Sequence, residues 1–215
     1  MRAGPLTIPL VSVALLAAAA SPATATTIKY ADNSGTVPTG APISGALKPS
    51  TVWHFEGGSG GDIDCSASDL AGSLETNPFI PSVPGKLTRL TLGSCSDTTP
   101  FVTVSGITSN AGTGTNAKPL SFMHGLLGTR STFAMSGIEL TIMFASGSTC
   151  IYQPTGGTAT ATHNSTTTPW NNEYAFTNVP LTKTGGTYAF CPSSNLTFTA
   201  TYVLTSSGKG ITIQP

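Results

Sequence analysis

Charged residues are scarce in this chain. Nine of the 215 residues are lysine or arginine and nine are aspartate or glutamate, so charged side chains make up only 8%, against about a quarter in an average soluble domain. The sequence has no basic stretch of the kind that contacts phosphates, and the same lack argues against an anionic membrane surface. Nucleic acid is therefore not an expected partner.

The chain also lacks apolar residues at a helical period. No stretch repeats apolar residues every 3.6 positions between capping residues, so almost no helix is predicted. Residues 195–204 alternate instead, with leucine, phenylalanine, alanine, tyrosine and leucine on one face and mainly threonine on the other. Residues 138–144 repeat this alternation, which is typical of half-buried strands.

Turn formers separate the predicted strands. Examples are Pro84-Gly85, Gly185-Gly186 and Ser207-Gly208, where glycine can supply the positive φ of a tight turn. Many short strands with regular turns predict an all-β fold, an antiparallel β-sandwich or flattened barrel. We expect residues 51–215 to form this domain, and residues 26–50 to form a loop-rich lead-in with at most one or two short strands.

A long apolar run occurs only near the N-terminus. Arg2 precedes the apolar segment Leu10–Ala20, and the triplet Ala23-Thr24-Ala25 follows it. This order predicts a secretory signal peptide over residues 1–25, and the run is too short to span a bilayer. The mature chain of 190 residues then has a net charge near −1. It is expected to be secreted and to have no membrane span after cleavage.

Cysteines are few but even in number: Cys65, Cys95, Cys150 and Cys191. In an exported chain this predicts two disulfides, for which three pairings are possible. We favour Cys65–Cys95 with Cys150–Cys191, because each closes a loop within one half of the chain. Each bond is expected to contribute roughly 3–4 kcal/mol by loop entropy. No C-x-x-C pair or histidine at ligand spacing indicates zinc, and no cofactor is expected.

The surroundings of these cysteines resemble those of exported four-cysteine all-β proteins of actinobacterial type, most of which are uncharacterised. The matching segments are Cys65–Gly72, Leu87–Cys95, Cys150–Tyr152 and Cys191–Leu204. The resemblance covers roughly residues 50–215 and implies a secreted β domain. It carries no catalytic residue over to this chain.

Aromatic residues offer the first candidate binding site. Trp170 stands next to the amides of Asn171-Asn172, with Glu173 and Tyr174 following. An exposed aromatic ring beside amides and an acid is suited to stacking on a sugar. The alternative is a loop tryptophan that covers one end of the core. Trp53, within the segment VWHF, is predicted to be a core residue.

Acidic residues are densest at Asp62, Asp64 and Asp69. Carboxylates close together on a loop could hold calcium. An EF-hand loop would need glycine where Ala67 stands and glutamate where Ser73 stands. The alternative interpretation is charge that protects an exposed strand edge.

No arrangement of residues in the sequence strongly predicts a catalytic site. Residues 57–61 fit G-x-S-x-G, but the following DIDCSASDL does not favour the helix that a nucleophile elbow needs. His163, Asp97 and Ser59 have the side chains of a catalytic triad, but their spacing in the sequence does not support one. The four glutamates are far apart in sequence, whereas a glycosidase needs two carboxyl groups in one cleft.

The sequence therefore predicts a secreted, non-catalytic extracellular or cell-surface protein. Cell-wall polysaccharide, another glycan or another extracellular protein is the expected partner. The alternatives are a small glycan-active hydrolase and a secreted adhesin or inhibitor.

Overall fold

The computed structural model describes residues 25–57, 61–79, 81–97, 103–123, 131–163, 172–187, 191 and 196–214. Within these ranges the chain is almost entirely extended, and its only helical pieces are two 3-10 turns, Gly114–Asn116 and Thr155–Gly157. The predicted all-β class is thus confirmed. Among the described residues no helix is long and apolar enough to cross a membrane.

The described residues form fourteen strands of one antiparallel sheet. In chain order they are β1 Thr27–Tyr30, β2 Pro42–Leu47, β3 Trp53–Glu56, β4 Ile63–Leu74, β5 Ser82–Asp97, β6 Val104–Ser109, β7 Lys118–Met123, β8 Thr132–Ser136, β9 Leu140–Phe144, β10 Thr149–Pro154, β11 Thr158–His163, β12 Glu173–Gly186, β13 Leu196–Ser206 and β14 Lys209–Gln214.

The sheet closes into a barrel. The order β13-β2-β4-β5-β7-β8-β11-β12 returns to β13, because β12 and β13 also pair with each other. The long strands β4, β12 and β13 run beyond this ring and acquire further neighbours. There β3 takes the place of β2 between β13 and β4, and β10, β9 and β6 continue the sheet from the second half of β12. Closure leaves few exposed sheet edges, which suits a protein with little charge to protect them.

One end of the barrel is crossed by β1 and β14. Ile28 and Ile213 are directly opposite each other in this pair, and both are buried. The side chain of Asn77 holds β1 in place, since its Oδ1 accepts from the Ile28 amide at 2.9 Å and its Nδ2 donates to the Ile28 carbonyl at 2.9 Å. The Ile28 carbonyl also accepts from the Val37 amide at 3.0 Å, so the side-chain amide and this neighbouring segment together satisfy the backbone of β1 there.

An aromatic cluster fills the half of the barrel around β3. Trp53 is fully buried, and its ring centroid is 4.7 Å from that of Phe198, 5.8 Å from that of Phe55 and 5.9 Å from that of Tyr202. The prediction that Trp53 belongs to the core is confirmed. Alternation along β3 and β13 places these rings on the inner face.

Replacing Trp53 by alanine is expected to lower the free energy of unfolding by about 3–5 kcal/mol, because it removes stacked contacts and leaves a cavity. Urea denaturation followed by far-ultraviolet circular dichroism measures the change. Trp53→Phe is the control and should cost clearly less, since it keeps one ring and removes an indole Nε1 that has no hydrogen-bond partner among the described residues. A loss below 1 kcal/mol in Trp53→Ala would contradict this account of the core.

Two predicted turns lie inside strands instead. Pro84-Gly85 belongs to β5, where both residues pair with β7. A side chain at Gly85 would bring its Cβ to 2.5 Å from the Ser73 carbonyl oxygen, so glycine is there for close approach of two strands. Gly186 ends β12 with φ +116, and its Cβ would be 2.3 Å from the Thr149 carbonyl oxygen. Sequence alone does not distinguish such glycines from turn glycines.

The lead-in 26–50 holds two short strands, β1 and β2, as expected. However, β2 pairs with both β13 and β4 and is part of the closed ring. The barrel therefore begins before residue 51.

The disulfide pairing predicted from the sequence is confirmed. Cys65 and Cys95 are directly opposite each other on β4 and β5, and Cys150 on β10 is bonded to Cys191. All four cysteines are accounted for, since none is free.

Candidate functional site

Part of the sequence-predicted site lies outside the described residues. This holds for Trp170. It also holds for Ser59, which belongs both to the G-x-S-x-G segment and to the candidate triad. The other members of that triad do not come together. His163 ends β11 at the level where β5 begins, whereas Asp97 is the last residue of β5.

The remaining members of the aromatic candidate site are near the start of β12. Tyr174, expected at the surface, is fully buried, with its ring 5.2 Å from His163 and 6.1 Å from Phe133. Strand alternation turns it inward, so its ring offers no face to a sugar. Glu173 points outward and its Oε2 is 2.9 Å from Lys48 Nζ. The glutamate thus has an ion-pair partner that is distant in sequence.

The three aspartates of the candidate calcium site do not all lie close together, because two of them are at different positions along one extended strand. Asp64 and Asp69 are five residues apart on β4, which is about 17 Å along an extended chain. Calcium ligands all lie within about 2.6 Å of the ion, so these two cannot share one. Asp62 accepts a hydrogen bond from the Gly57 amide at 3.3 Å. No group of three potential metal ligands occurs in the described ranges.

The structure assembles a different group of polar side chains, a row that crosses the outer wall of the barrel. Thr199 on β13 is directly opposite His54 on β3, His54 is opposite Asp64 on β4, and Asp64 is opposite Ser96 on β5. Asn178 on β12 extends the row beyond Thr199. We call these five residues the polar row. Each comes from a different strand, and neighbouring strands are 4.7–4.9 Å apart, so the row is about 19 Å long.

The centre of the polar row is a hydrogen-bonded pair, His54 and Asp64. His54 Nδ1 is 2.6 Å from Asp64 Oδ1, and the two side chains are 38% and 34% exposed. Because a carboxylate only accepts, Nδ1 carries the proton in this bond. Nε2 is then on the side of the ring away from Asp64 and can accept a hydrogen bond from a ligand when the ring is neutral.

One end of the row is fixed by a bulge in β12. The register of β12 against β13 shifts between Phe176 and Val179, and Asn178 adopts a φ of +48 there. Its amide N donates to Thr199 Oγ1 at 3.1 Å, and Thr199 Oγ1 donates to Asn178 Oδ1 at 3.1 Å. The Nδ2 group of Asn178 can donate to a ligand, and the bulge sets its direction.

Sequence reasoning did not find the polar row. Alternation placed Thr199 on the outer face of its strand, but nothing in the sequence shows which strands are neighbours. In the segment WHFE, a histidine lies between two aromatic residues. This alternation predicts only that His54 is on the outer face of a strand.

Comparison of the chain with family models, with curated proteins and with solved structures found no match. The resemblance to exported four-cysteine proteins stays a prediction.

Proposed function

We propose that this chain is a non-catalytic extracellular protein that binds an extended glycan along the polar row. The observation that carries the proposal is the alignment of five hydrogen-bonding side chains, one from each of five neighbouring strands, on one outer face. The strand spacing of about 4.8 Å is comparable to the length of one sugar ring along an extended polysaccharide. A chain lying across the strands would therefore meet one polar side chain per ring.

The chemistry of the row suits hydroxyl groups. Asn178 Nδ2 donates, His54 Nε2 accepts, and Asp64 accepts through the oxygen that does not bind His54. Sugar hydroxyls can both donate and accept, so they complement this alternation without needing a charge. Thr199 also brings a methyl group to the row. A second methyl group lies beside the row on Thr197, which is opposite Glu56.

Secretion is supported by the cysteines. The four cysteines form two disulfides and none is free, which is typical of proteins that fold in an oxidising compartment.

A non-catalytic role is supported by three of the nine acidic residues, which are held in ion pairs with lysine. Glu173 is paired with Lys48, Glu75 with Lys86, and Asp32 with Lys209. Glycoside hydrolysis needs one carboxylate as nucleophile or base and a second carboxyl as acid, about 5–9.5 Å apart across a cleft. Glu173 begins β12, whereas Glu75 directly follows β4 and Asp32 follows β1, and the polar row itself lies on the outer wall.

The test is co-sedimentation of the mature, oxidised protein with purified cell wall and with insoluble neutral polysaccharides. His54→Ala and Thr199→Val are each expected to weaken binding about tenfold, which corresponds to about one hydrogen bond in this setting. Thr160→Val is the matched control. Thr160 is also an outward threonine in the middle of a strand, but it lies on β11 opposite Ala134 and away from the row.

Equal binding by wild type, Thr199→Val and His54→Ala would overturn the assignment of the row. If binding were lost only in Trp170→Ala, the site would be the aromatic one predicted from the sequence. Release of soluble sugar during the incubation would favour the alternative of a glycan-active hydrolase.

A further inference from the structure

One disulfide lies directly beside the polar row. Asp64 and Ser96 are the row members on β4 and β5, and the neighbouring residues of these two strands are Cys65 and Cys95. We call their bond the β4–β5 disulfide. The two cysteines are opposite each other, and so are the two row members, so the pairs are consecutive in the ladder. Successive residues of a strand face opposite ways, which agrees with a fully buried Cys65 and an exposed Ser96.

The two strands are irregular just before this disulfide. Ser94 has a φ of +50, a left-handed conformation that residues other than glycine seldom adopt. The inward residues on either side of it are Leu92 and Cys95, which are three positions apart instead of two. The inward residues Cys65 and Ser68 of β4 show the same spacing at the same level. Alternation in the earlier part of the two strands therefore does not fix the register of the last residues of β5.

The end of β5 is paired on one side. The pairing of β5 with β7 covers only Ser82–Leu87. After Leu87, β4 is the one strand that pairs with β5 in the described ranges. Asp64, in contrast, belongs to a strand with partners on both sides, because His54 of β3 is opposite it as well. Of the two row members beside the disulfide, Ser96 is thus the one with fewer strand contacts to hold it.

We infer that the β4–β5 disulfide positions Ser96 for a glycan bound along the polar row, an inference that rests on the proposed function. The bond holds β5 against β4 beyond the irregularity at Ser94, and it keeps Ser96 opposite Asp64 on the outer face. A shift of one residue in this register would turn Ser96 to the inner face. The row would then end at Asp64.

Binding by variants that lack one disulfide tests this inference. Co-sedimentation of the oxidised protein with purified cell wall, cellulose and chitin gives the dissociation constants. Cys65→Ser with Cys95→Ser is expected to raise the dissociation constant about three- to tenfold, as for the loss of one hydrogen bond. The matched control is Cys150→Ser with Cys191→Ser. It opens a loop of similar length, and its first cysteine is on β10, which carries no row member.

A second test keeps both disulfides and does not depend on the folding of the cysteine variants. Ser96→Ala is expected to weaken binding about three- to tenfold, because it removes the hydroxyl that the bond positions. In this background, removal of the β4–β5 disulfide should cause little further loss of affinity, since the bond acts through Ser96. A bond that only stabilised the fold would have its full effect in both backgrounds.

Three results would overturn the inference. If His54→Ala weakens binding while Ser96→Ala binds like wild type, the row binds glycan but its β5 end does not take part. Equal losses of affinity in the two disulfide variants would show a general effect of stability. If wild type binds none of the three materials, or if His54→Ala and Thr199→Val bind as wild type does, the proposed function itself fails and this inference fails with it.

Discussion

Replacing all four cysteines by serine is expected to lower the free energy of unfolding by about 7 kcal/mol and to leave the barrel largely unfolded. The bonds Cys65–Cys95 and Cys150–Cys191 span 30 and 41 residues. On the loop-entropy model each contributes about 3.5–4 kcal/mol by restricting the unfolded chain. The sum is comparable to the whole stability of a typical domain, about 5–15 kcal/mol.

Two variants that each lack one disulfide separate the contributions of the two bonds to stability. Cys65→Ser with Cys95→Ser, and Cys150→Ser with Cys191→Ser, are each expected to lose about 3–4 kcal/mol in urea denaturation of the oxidised protein. Because the two loops do not overlap in sequence, the two losses should be nearly additive. A four-serine variant that kept its stability to within 2 kcal/mol of wild type would refute this account.

Stability is expected to fall steeply above pH 10, because two tyrosines are buried without access to water. Burial raises the pKa of Tyr174 and of Tyr202 far above the ordinary value of 10.0. For Tyr202 the hydrogen bond with Ser68 partly offsets this rise. Burial also raises the pKa of Tyr152, to about 12.

The direction of this pH effect on stability follows from proton binding. Above pH 10 the unfolded chain has lost the protons of these tyrosines while the folded chain keeps them, so ionisation favours unfolding. The stabilisation is complete below pH 10 and is lost as the pH rises. Each tyrosine lowers the free energy of unfolding by about 1.4 kcal/mol per pH unit, so Tyr174 and Tyr202 together account for about 2.7 kcal/mol per unit.

Denaturation at several pH values between 9 and 12, with absorbance at 295 nm to report tyrosinate, measures this slope. Tyr174→Phe should reduce it by about 1.4 kcal/mol per pH unit, whatever its effect at neutral pH. A slope that is unchanged in this variant would show that Tyr174 ionises in the folded barrel. No free thiol is present to reshuffle the disulfides at high pH.

The polar row shows the limit of sequence reasoning about the site. The sequence predicts Asp64 only as one of three clustered aspartates, and it gives no reason to pair Asp64 with His54 of the VWHF segment. Thr199 was recognised only as one outward residue of a well-defined strand. Their proximity depends on β3 lying between β13 and β4, and no local pattern records which strands pair.

Tyr174 shows a second limit. Its polar surroundings in sequence favoured an exposed aromatic residue, yet alternation along β12 turns it into the core. The strand also continues through a bulge and past Pro180 to Gly186. A bulge shifts the alternation by one residue, so the pattern beyond it looks irregular in sequence.

The sequence by itself determined the all-β class, the inward faces of β9 and β13, the core position of Trp53 and the presence of two disulfides, with the observed pairing as the favoured one of three. These properties follow from period-two alternation and from the count and spacing of cysteines, which are local or nearly local. The tertiary structure decided barrel closure, the strand order, the polar row and the burial of the Tyr174 and Thr212 hydroxyls. Each of these depends on the register between strands distant in the chain, and register is set by the packing of the whole core.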